Sequence, residues 1–197
     1  METIQEMQDF YSKNHREYFD RTFNIDPSLF LSPLTEQLAP GAFILDVGCG
    51  SGRDLLWLKN RGFQVMGFER SHELAELARK SAGCEVFEED FTSYDFSSIR
   101  ADAVILIGAL AHIPHADFMV VLRNVTAALD DNGLILITVK EGTGVAEGAD
   151  GRVFYFFQNK DLETIFASLK LRLLDFSRNT SKTGTGEIWL RYLLQKK

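Results

Sequence analysis

The chain has 197 residues, of which 45% are hydrophobic and 25% charged, a balance typical of a soluble globular domain. Its formal net charge of −7 argues against a general affinity for the phosphate backbone of nucleic acids. The sequence contains no apolar run of the roughly 18 residues that cross a membrane, and its polar N-terminal residues do not resemble a secretory signal. Two cysteines are expected to be reduced thiols, so we expect a cytoplasmic protein.

The first forty residues predict two helices that precede the core. An amphipathic helix is expected to end before Asp26-Pro27. The residues on its apolar face are Ile4, Met7, Tyr11 and Tyr18. A second, shorter helix is predicted with Ser32 as its N-cap and Pro33 at its first position, and Pro40-Gly41 ends it.

From residue 42 onward, strands and helices alternate at short intervals, which indicates a parallel sheet with crossover helices. A capping box of Ser51 and Asp54 is predicted to start the first of these helices, and Ser71 to cap the next. The predicted strands are 42–47, 64–68, 84–87, 103–107, 134–139, 172–176 and 187–194. The later helices are predicted at 117–129 and 160–169. Because no repeat or low-complexity segment interrupts the pattern, we predict one domain over residues 1–197.

The most informative stretch joins the first strand to the first helix and reads Asp46-Val47-Gly48-Cys49-Gly50-Ser51-Gly52. Glycines let the backbone turn sharply and approach a ligand closely, and amides at the helix start face a ligand above the strand ends. The order of strand, glycines and helix favours a nucleoside-cofactor site over a turn that only tightens the joint. The spacing is G-x-G-x-G, whereas a pyrophosphate-binding turn has G-x-G-x-x-G, which argues against an NAD-dependent oxidoreductase.

With Asp46 in front of it, this glycine turn resembles motif I of the class I S-adenosylmethionine-dependent methyltransferases. The resemblance runs from Tyr11 to about Leu194, and the chain is similar to the small single-domain bacterial members of the family. The other matching segments are Gly52-Arg53-Asp54, residues 109–114, residues 131–134 and residues 139–142.

The resemblance implies an α/β fold with a doubly wound, Rossmann-like sheet. The sheet would be mostly parallel, with seven strands in the order 3-2-1-4-5-7-6 and the last strand antiparallel. The implied cofactor is S-adenosyl-L-methionine, and the implied product is S-adenosyl-L-homocysteine. Residues 1–40 would form a helical lid over a cofactor-binding core at 41–197, although a plain packing helix would show the same apolar face.

In this family the cofactor lies across the carboxyl ends of the strands. Glu69 would accept hydrogen bonds from both ribose hydroxyls; the family often has Asp there, so the carboxylate is kept. Asp90 would receive the adenine amino group, and Phe91 would present its amide to the ring. Asp46 would orient the glycine turn and meet the ammonium group, directly or through water. The expected cofactor-binding residues are Tyr11, Tyr18, Asp46, Gly48, Cys49, Gly50, Arg53, Glu69, Arg70, Asp90, Phe91, Ile107 and Gly108.

His112 follows the fourth strand, where methyl transfer would occur, and is the candidate general base if the acceptor loses a proton. A packing role for His112 stays open, and for His115 it is preferred. The glycine-rich residues 140–152 and the aromatic residues after them are predicted to enclose the acceptor. Tyr155 is the second catalytic candidate, and Lys140 and Glu141 are further candidates for the acceptor site. The sequence predicts no metal site.

These features predict an enzyme that methylates a small-molecule acceptor. A methyltransferase acting on tRNA or protein stays open, as does a non-catalytic S-adenosylmethionine-binding protein; an NAD-dependent oxidoreductase is disfavoured. The sequence leaves the acceptor and the oligomeric state open.

Overall fold

The computed structural model describes residues 10–148, 150–182 and 184–197. Ile4 and Met7, predicted on the face of the first helix, lie outside these residues. Residues 10–13 form a helical turn. The helices that follow are α1 (His15–Thr22), α2 (Ser28–Thr35), α3 (Arg53–Lys59), α4 (His72–Ala82), α5 (His115–Thr126) and α6 (Asn159–Ser168). Within the described ranges, none of the helices has the length and apolar character needed to cross a membrane.

Nine strands alternate with these helices in the described part of the chain. The strands are β1 (Phe43–Val47), β2 (Gln64–Phe68), β3 (Glu85–Phe87), β4 (Ala101–Ile107), β5 (Leu129–Glu141), β6 (Val145–Glu147), β7 (Val153–Phe157), β8 (Leu171–Thr180) and β9 (Ile188–Lys196). Short 3-10 turns lie at Phe96–Ser98 and Ala109–His112.

The main sheet has the order β3-β2-β1-β4-β5-β9-β8. Strands β1 to β5 are parallel, β9 is antiparallel to β5, and β8 is antiparallel to β9. Counting β8 and β9 as the sixth and seventh strands, this is the predicted order, and the predicted antiparallel last strand is confirmed.

The predicted glycine-rich segment and the aromatic residues after it contain two strands that the sequence analysis missed. β6 and β7 form an antiparallel hairpin, and β7 extends the sheet by pairing in parallel with the last residues of β5, Lys140 and Glu141. The pattern was hidden because β6 has only three residues and four glycines stand among residues 142–151.

The central strands are buried on both faces, as their apolar runs predict. On β1, Leu45 and Val47 join the larger hydrophobic cluster, whereas Ile44 joins a second cluster on the opposite face. On β4, Val104 and Ile105 divide between the same two clusters. This alternation follows from the two-residue period of a strand, and it covers the sheet on both sides.

Two helix starts differ from the predictions. Helix α2 begins at Ser28, not after Ser32, because the Asp26 carboxylate accepts hydrogen bonds from the backbone amide and hydroxyl of Ser28; Pro33 therefore lies inside the helix. Helix α3 has no side-chain cap, so the predicted capping box is wrong: its N-cap is Gly52, with φ 77°, and Asp54 pairs with a neighbouring arginine. The predicted cap of α4 by Ser71 is confirmed.

Candidate active site

A cavity of about 710 Å³ lies at the carboxyl ends of β1, β2, β4 and β5. This volume is within the range of small-molecule sites. The predicted site residues that line it are Tyr11, Tyr18, Gly48, Cys49, Gly50, Arg53, Glu69, Arg70, Phe91, Ile107, Gly108 and His112. Four predicted positions, Asp46, Asp90, Glu141 and Tyr155, do not line it.

The glycine turn after β1 is packed so closely that side chains do not fit. Gly48 has φ 78° and Gly50 has φ 53°, both in the left-handed region that favours glycine. A Cβ at Gly48 would lie 2.7 Å from the Cβ of Ala109, and one at Gly50 would lie 3.3 Å from the ring of Tyr18. The turn therefore presents bare backbone to the cavity.

Glu69 connects this turn to the start of α4. Its Oε2 accepts a hydrogen bond from the backbone amide of Gly50 at 2.9 Å, and its Oε1 accepts one from the amide of Ser71 at 2.8 Å. Burial raises the pKa of Glu69, and these hydrogen bonds oppose the rise. Because each carboxylate oxygen has a second lone pair, Glu69 can also accept hydrogen bonds from a vicinal diol in the cavity.

Beneath the turn, Asp46 is almost fully buried, and its Oδ2 has no hydrogen-bond partner among the described residues. Burial, followed by the nearby charge of Asp54, raises the pKa of Asp46 well above its usual range. Arg53 faces the cavity and donates two hydrogen bonds to Asp54, at 2.8 and 2.9 Å. Asp46 therefore lies beneath the glycine turn and is not among the residues that line the cavity.

In the loop after β3, Asp90 forms hydrogen bonds within the protein and does not line the cavity, where it was expected to receive the adenine amino group. The Asp90 carboxylate accepts hydrogen bonds from the amide and hydroxyl of Thr92, at 2.9 and 2.7 Å, and from Arg70 at 3.3 Å. Burial opposes the charge on Asp90, but these partners lower its pKa below the usual value. Phe91 and Thr92 line the cavity. Asp90 therefore shapes the loop that presents them.

His112 and Tyr11 form a hydrogen-bonded pair that also lines the cavity. Nδ1 of His112 lies 2.7 Å from the carbonyl oxygen of Val153, which can only accept, so Nδ1 carries the proton. Nε2 is then an acceptor for the Tyr11 hydroxyl, 3.0 Å away. Burial lowers the pKa of His112 to about 4. The imidazole is therefore neutral near pH 7, with its basic nitrogen directed at Tyr11.

A further group of residues lines the end of the cavity near β5, β7 and β9. Nζ of Lys140 donates to Oε1 of Glu187 at 2.5 Å and lies 3.2 Å from the ring centre of Phe154. Trp189 is the register partner of Lys140 in the antiparallel β5–β9 pair. Of these residues, sequence reasoning singled out Lys140 and the aromatic run, but it missed Glu187 and Trp189. These two residues could not be identified from the sequence, because the register between β5 and β9 cannot be read from the residues of either strand alone.

Arg152 is another residue that the sequence analysis missed. Its guanidinium pairs with Asp150, donates to the Tyr11 hydroxyl at 3.4 Å, and lies 5.0 and 5.1 Å from the rings of Phe10 and Phe154. These contacts connect the N-terminal helical segment to the β6–β7 hairpin across the cavity.

Tyr155 takes a different place from the one expected of a catalytic residue. Consecutive side chains of a strand point to opposite faces, so Phe154 lines the cavity while Tyr155 packs edge-on against His115, with ring centres 5.4 Å apart. His115 itself bonds the carbonyl oxygen of Phe156, in line with its expected packing role.

Comparisons with known proteins agree with this geometry. Residues 44–133 match a family model described as a methyltransferase domain. The chain is 37% identical over 78 residues to a probable tRNA methyltransferase 9B of Bos taurus, covering 39% of this chain and 16% of that protein. It is 28% identical over 149 residues to a probable fatty acid methyltransferase of Pseudomonas putida, covering 68% and 38%. The chain thus spans less than half the length of either relative.

A solved structure aligns over the whole chain. It is the 1,6-didemethyltoxoflavin-N1-methyltransferase of Burkholderia thailandensis, with bound 1,6-didemethyltoxoflavin and S-adenosylhomocysteine. The TM-score is 0.78 at 19% identity, and the alignment covers 100% of this chain and 89% of that one. At this identity the likeness shows a shared fold.

Proposed function

We propose that this protein is a class I S-adenosylmethionine-dependent methyltransferase and that it transfers a methyl group from S-adenosylmethionine to a small-molecule acceptor. The match of residues 44–133 to a methyltransferase domain and the shared fold support this proposal. One observation carries the proposal. The glycine turn and the buried carboxylate of Glu69 stand at one end of a single cavity, and aromatic and charged side chains line its other end.

The cavity residues fit the parts of this cofactor. Glu69 would hold the ribose diol, Phe91 and Thr92 would border the adenine, and Arg53 would face the methionine carboxylate. The backbone at Gly48 and Gly50 would admit the middle of the molecule because neither glycine carries a Cβ. When bound, the sulfonium supplies a methyl group that is already activated for displacement.

The protein's own contribution would be alignment, exclusion of water and control of one proton. Tyr11 and Tyr18 pack edge to face, with ring centres 5.2 Å apart, and both line the cavity, which supports the proposal that residues 1–40 act as a lid. If the acceptor loses a proton, the Tyr11 hydroxyl and Nε2 of His112 are placed to receive it in sequence. The sulfonium charge lost in the transfer would then be replaced by the charge of an imidazolium.

The enclosure of the site supports a small acceptor. The N-terminal helices, the β6–β7 hairpin and the loop between β8 and β9 all contribute to the lining of one cavity. His112 and Tyr11 line this cavity, and a large polymer would have to insert a single nucleotide or side chain to reach them. The net charge of −7 also disfavours tRNA, so we place a tRNA acceptor second.

The test is calorimetry with S-adenosylhomocysteine and NAD, followed by transfer of labelled methyl groups from S-adenosylmethionine to three substrates: a metabolite extract, total tRNA and a protein extract. We expect binding of S-adenosylhomocysteine only, and label in the metabolite fraction. Label in tRNA alone would establish the second candidate. Tight binding of NAD without any binding of S-adenosylhomocysteine would overturn the assignment of S-adenosylmethionine as the cofactor.

A further inference from the structure

We propose that the acceptor is an aromatic carboxylate, that Lys140 binds its carboxylate group, and that Glu187 occupies this anion site in the free protein. The inference rests on the proposed methyl transfer and specifies its acceptor.

Lys140 is a buried cation that needs an anionic partner. Its side chain is only 3% exposed, and its ammonium lies over the face of Phe154 at 3.2 Å and 5.6 Å from the ring centre of Trp189. Burial lowers the pKa of Lys140, and the carboxylate of Glu187 counteracts this effect. A buried ammonium that lost its anionic partner would be strongly destabilising, so one anion must stay beside Lys140.

Lys140 is also close to the expected position of methyl transfer. Thr138 precedes it on the same face of β5, and its hydroxyl oxygen accepts a hydrogen bond from the amide of Gly108 at 2.9 Å. The indole of Trp189 reaches within 3.8 Å of where a Cβ at Gly108 would stand, and the rings of Phe154 and His112 are 4.8 Å apart. An anion held by Lys140 would therefore place an attached ring among aromatic faces, next to His112.

The two partners of the ion pair differ in how they are held. Lys140 lies within β5, whereas Glu187 ends the loop between β8 and β9 and is 31% exposed, with its Oε2 accepting from the hydroxyl of Thr185 at 2.9 Å. Glu187 can therefore turn towards solvent when another anion takes its place beside Lys140, whereas Lys140 itself cannot leave the site. Replacement of one carboxylate by another keeps the charge at the site constant, whereas a neutral acceptor would leave Glu187 in place.

The test uses the full chain saturated with S-adenosylhomocysteine and titrates it with benzoate and 2-naphthoate, and with benzamide and 2-naphthamide as neutral controls of the same shape. We expect at least one carboxylate to bind about tenfold more tightly than its amide, the scale of a hydrogen bond between charged groups. Lys140→Met should abolish this preference. Glu187→Gln should tighten carboxylate binding severalfold, because it removes the competing anion.

The variants also separate the possible failures. If the wild type does not bind S-adenosylhomocysteine, the proposed function fails. If it does, but neither carboxylate binds better than its amide, only the present inference is overturned. Weaker carboxylate binding in Glu187→Gln would overturn the proposal that Glu187 occupies the anion site in the free protein. Retained S-adenosylhomocysteine binding and an unchanged melting transition show that Lys140→Met is folded, and Met preserves the packing against Phe154.

Discussion

Alanine at Gly48 tests whether the glycine turn is shaped by a steric requirement of the site. Gly48 has φ 78°, and a left-handed conformation costs a residue with a Cβ about 1–2 kcal/mol. In addition, the new methyl group would lie 2.7 Å from the Cβ of Ala109 and 3.7 Å from its Cα. A short side chain fixed to the backbone cannot move aside, so the 3-10 turn that starts at Ala109 must shift; such overpacking costs typically about 1–3 kcal/mol.

The chain offers a matched control at Gly41. Its φ is also 78°, but a Cβ there meets nothing within 4 Å, and Gly41 does not line the cavity. Gly41→Ala should therefore lose only the conformational term, roughly 2–8 °C in melting temperature for a chain of this size. Gly48→Ala should lose about twice as much, because the clash adds to the same term.

Binding separates the two variants further. Titration calorimetry with S-adenosylhomocysteine should show a loss of about tenfold or more for Gly48→Ala, because the displaced turn no longer fits the cofactor, and unchanged affinity for Gly41→Ala. Equal destabilisation of the two variants would refute the steric argument. Unchanged affinity in a folded Gly48→Ala protein would refute the placement of the cofactor on this turn.

Four further changes test other parts of the site. Glu69→Gln should weaken S-adenosylhomocysteine binding by about 10- to 100-fold in calorimetry. The control variant Glu89→Gln should bind normally, because Glu89 is exposed and does not line the cavity, whereas Glu69 does. Burial raises the pKa of Asp46, so at neutral pH the folded wild type carries the free-energy cost of a buried carboxylate, which Asp46→Asn lacks. The variant should therefore melt at a higher temperature than the wild type at pH 7. This difference should fade as the pH falls towards 4 and the carboxylate is protonated in both the folded and the unfolded state. Burial lowers the pKa of His112 to about 4, so urea denaturation should show that the wild type loses stability as the pH falls from 6.5 towards 4. His112→Gln should lose stability less steeply over this range. The same variant should lower turnover by roughly 10²–10⁴-fold and keep its affinity for the cofactor. Arg152→Met should speed S-adenosylhomocysteine release about five- to tenfold in stopped-flow measurements, because it removes the contacts that join the N-terminal segment to the hairpin; an unchanged rate would contradict the lid.

The convergence of the glycine turn and Glu69 on one cavity could be predicted because its signals are local. Gly48 and Glu69 each directly follow a strand whose apolar run is visible in the sequence, and Gly50 lies in the same turn as Gly48. The carboxyl ends of parallel strands meet at one edge of the sheet. Even here the local pattern had limits. It placed Asp46 and Asp90 among the contacting residues, but one lies beneath the turn and the other bonds within its own loop.

The other end of the cavity could be predicted only in part, because it is assembled from segments far apart in the chain. The sequence indicated Tyr11, His112 and Lys140 one by one, but not the contacts between them. Tyr11, His112 and Arg152 come from three such segments, and Glu187 meets Lys140 only because β9 pairs with β5. Tyr155 shows the same limit: the two-residue period indicates that neighbours on β7 face opposite sides, but not which of them faces the cavity.

The sequence by itself therefore determined the alternation of strands and helices and the glycine turn after the first strand, and its family resemblance predicted the order of the sheet. Hydrophobic periodicity and glycine conformation act over a few residues, so they can be read directly. The tertiary structure alone decided which side chains from distant segments line the cavity, which nitrogen of His112 is basic and which anion neutralises Lys140. Each of these depends on contacts between residues more than forty positions apart, and only the packed fold specifies such contacts.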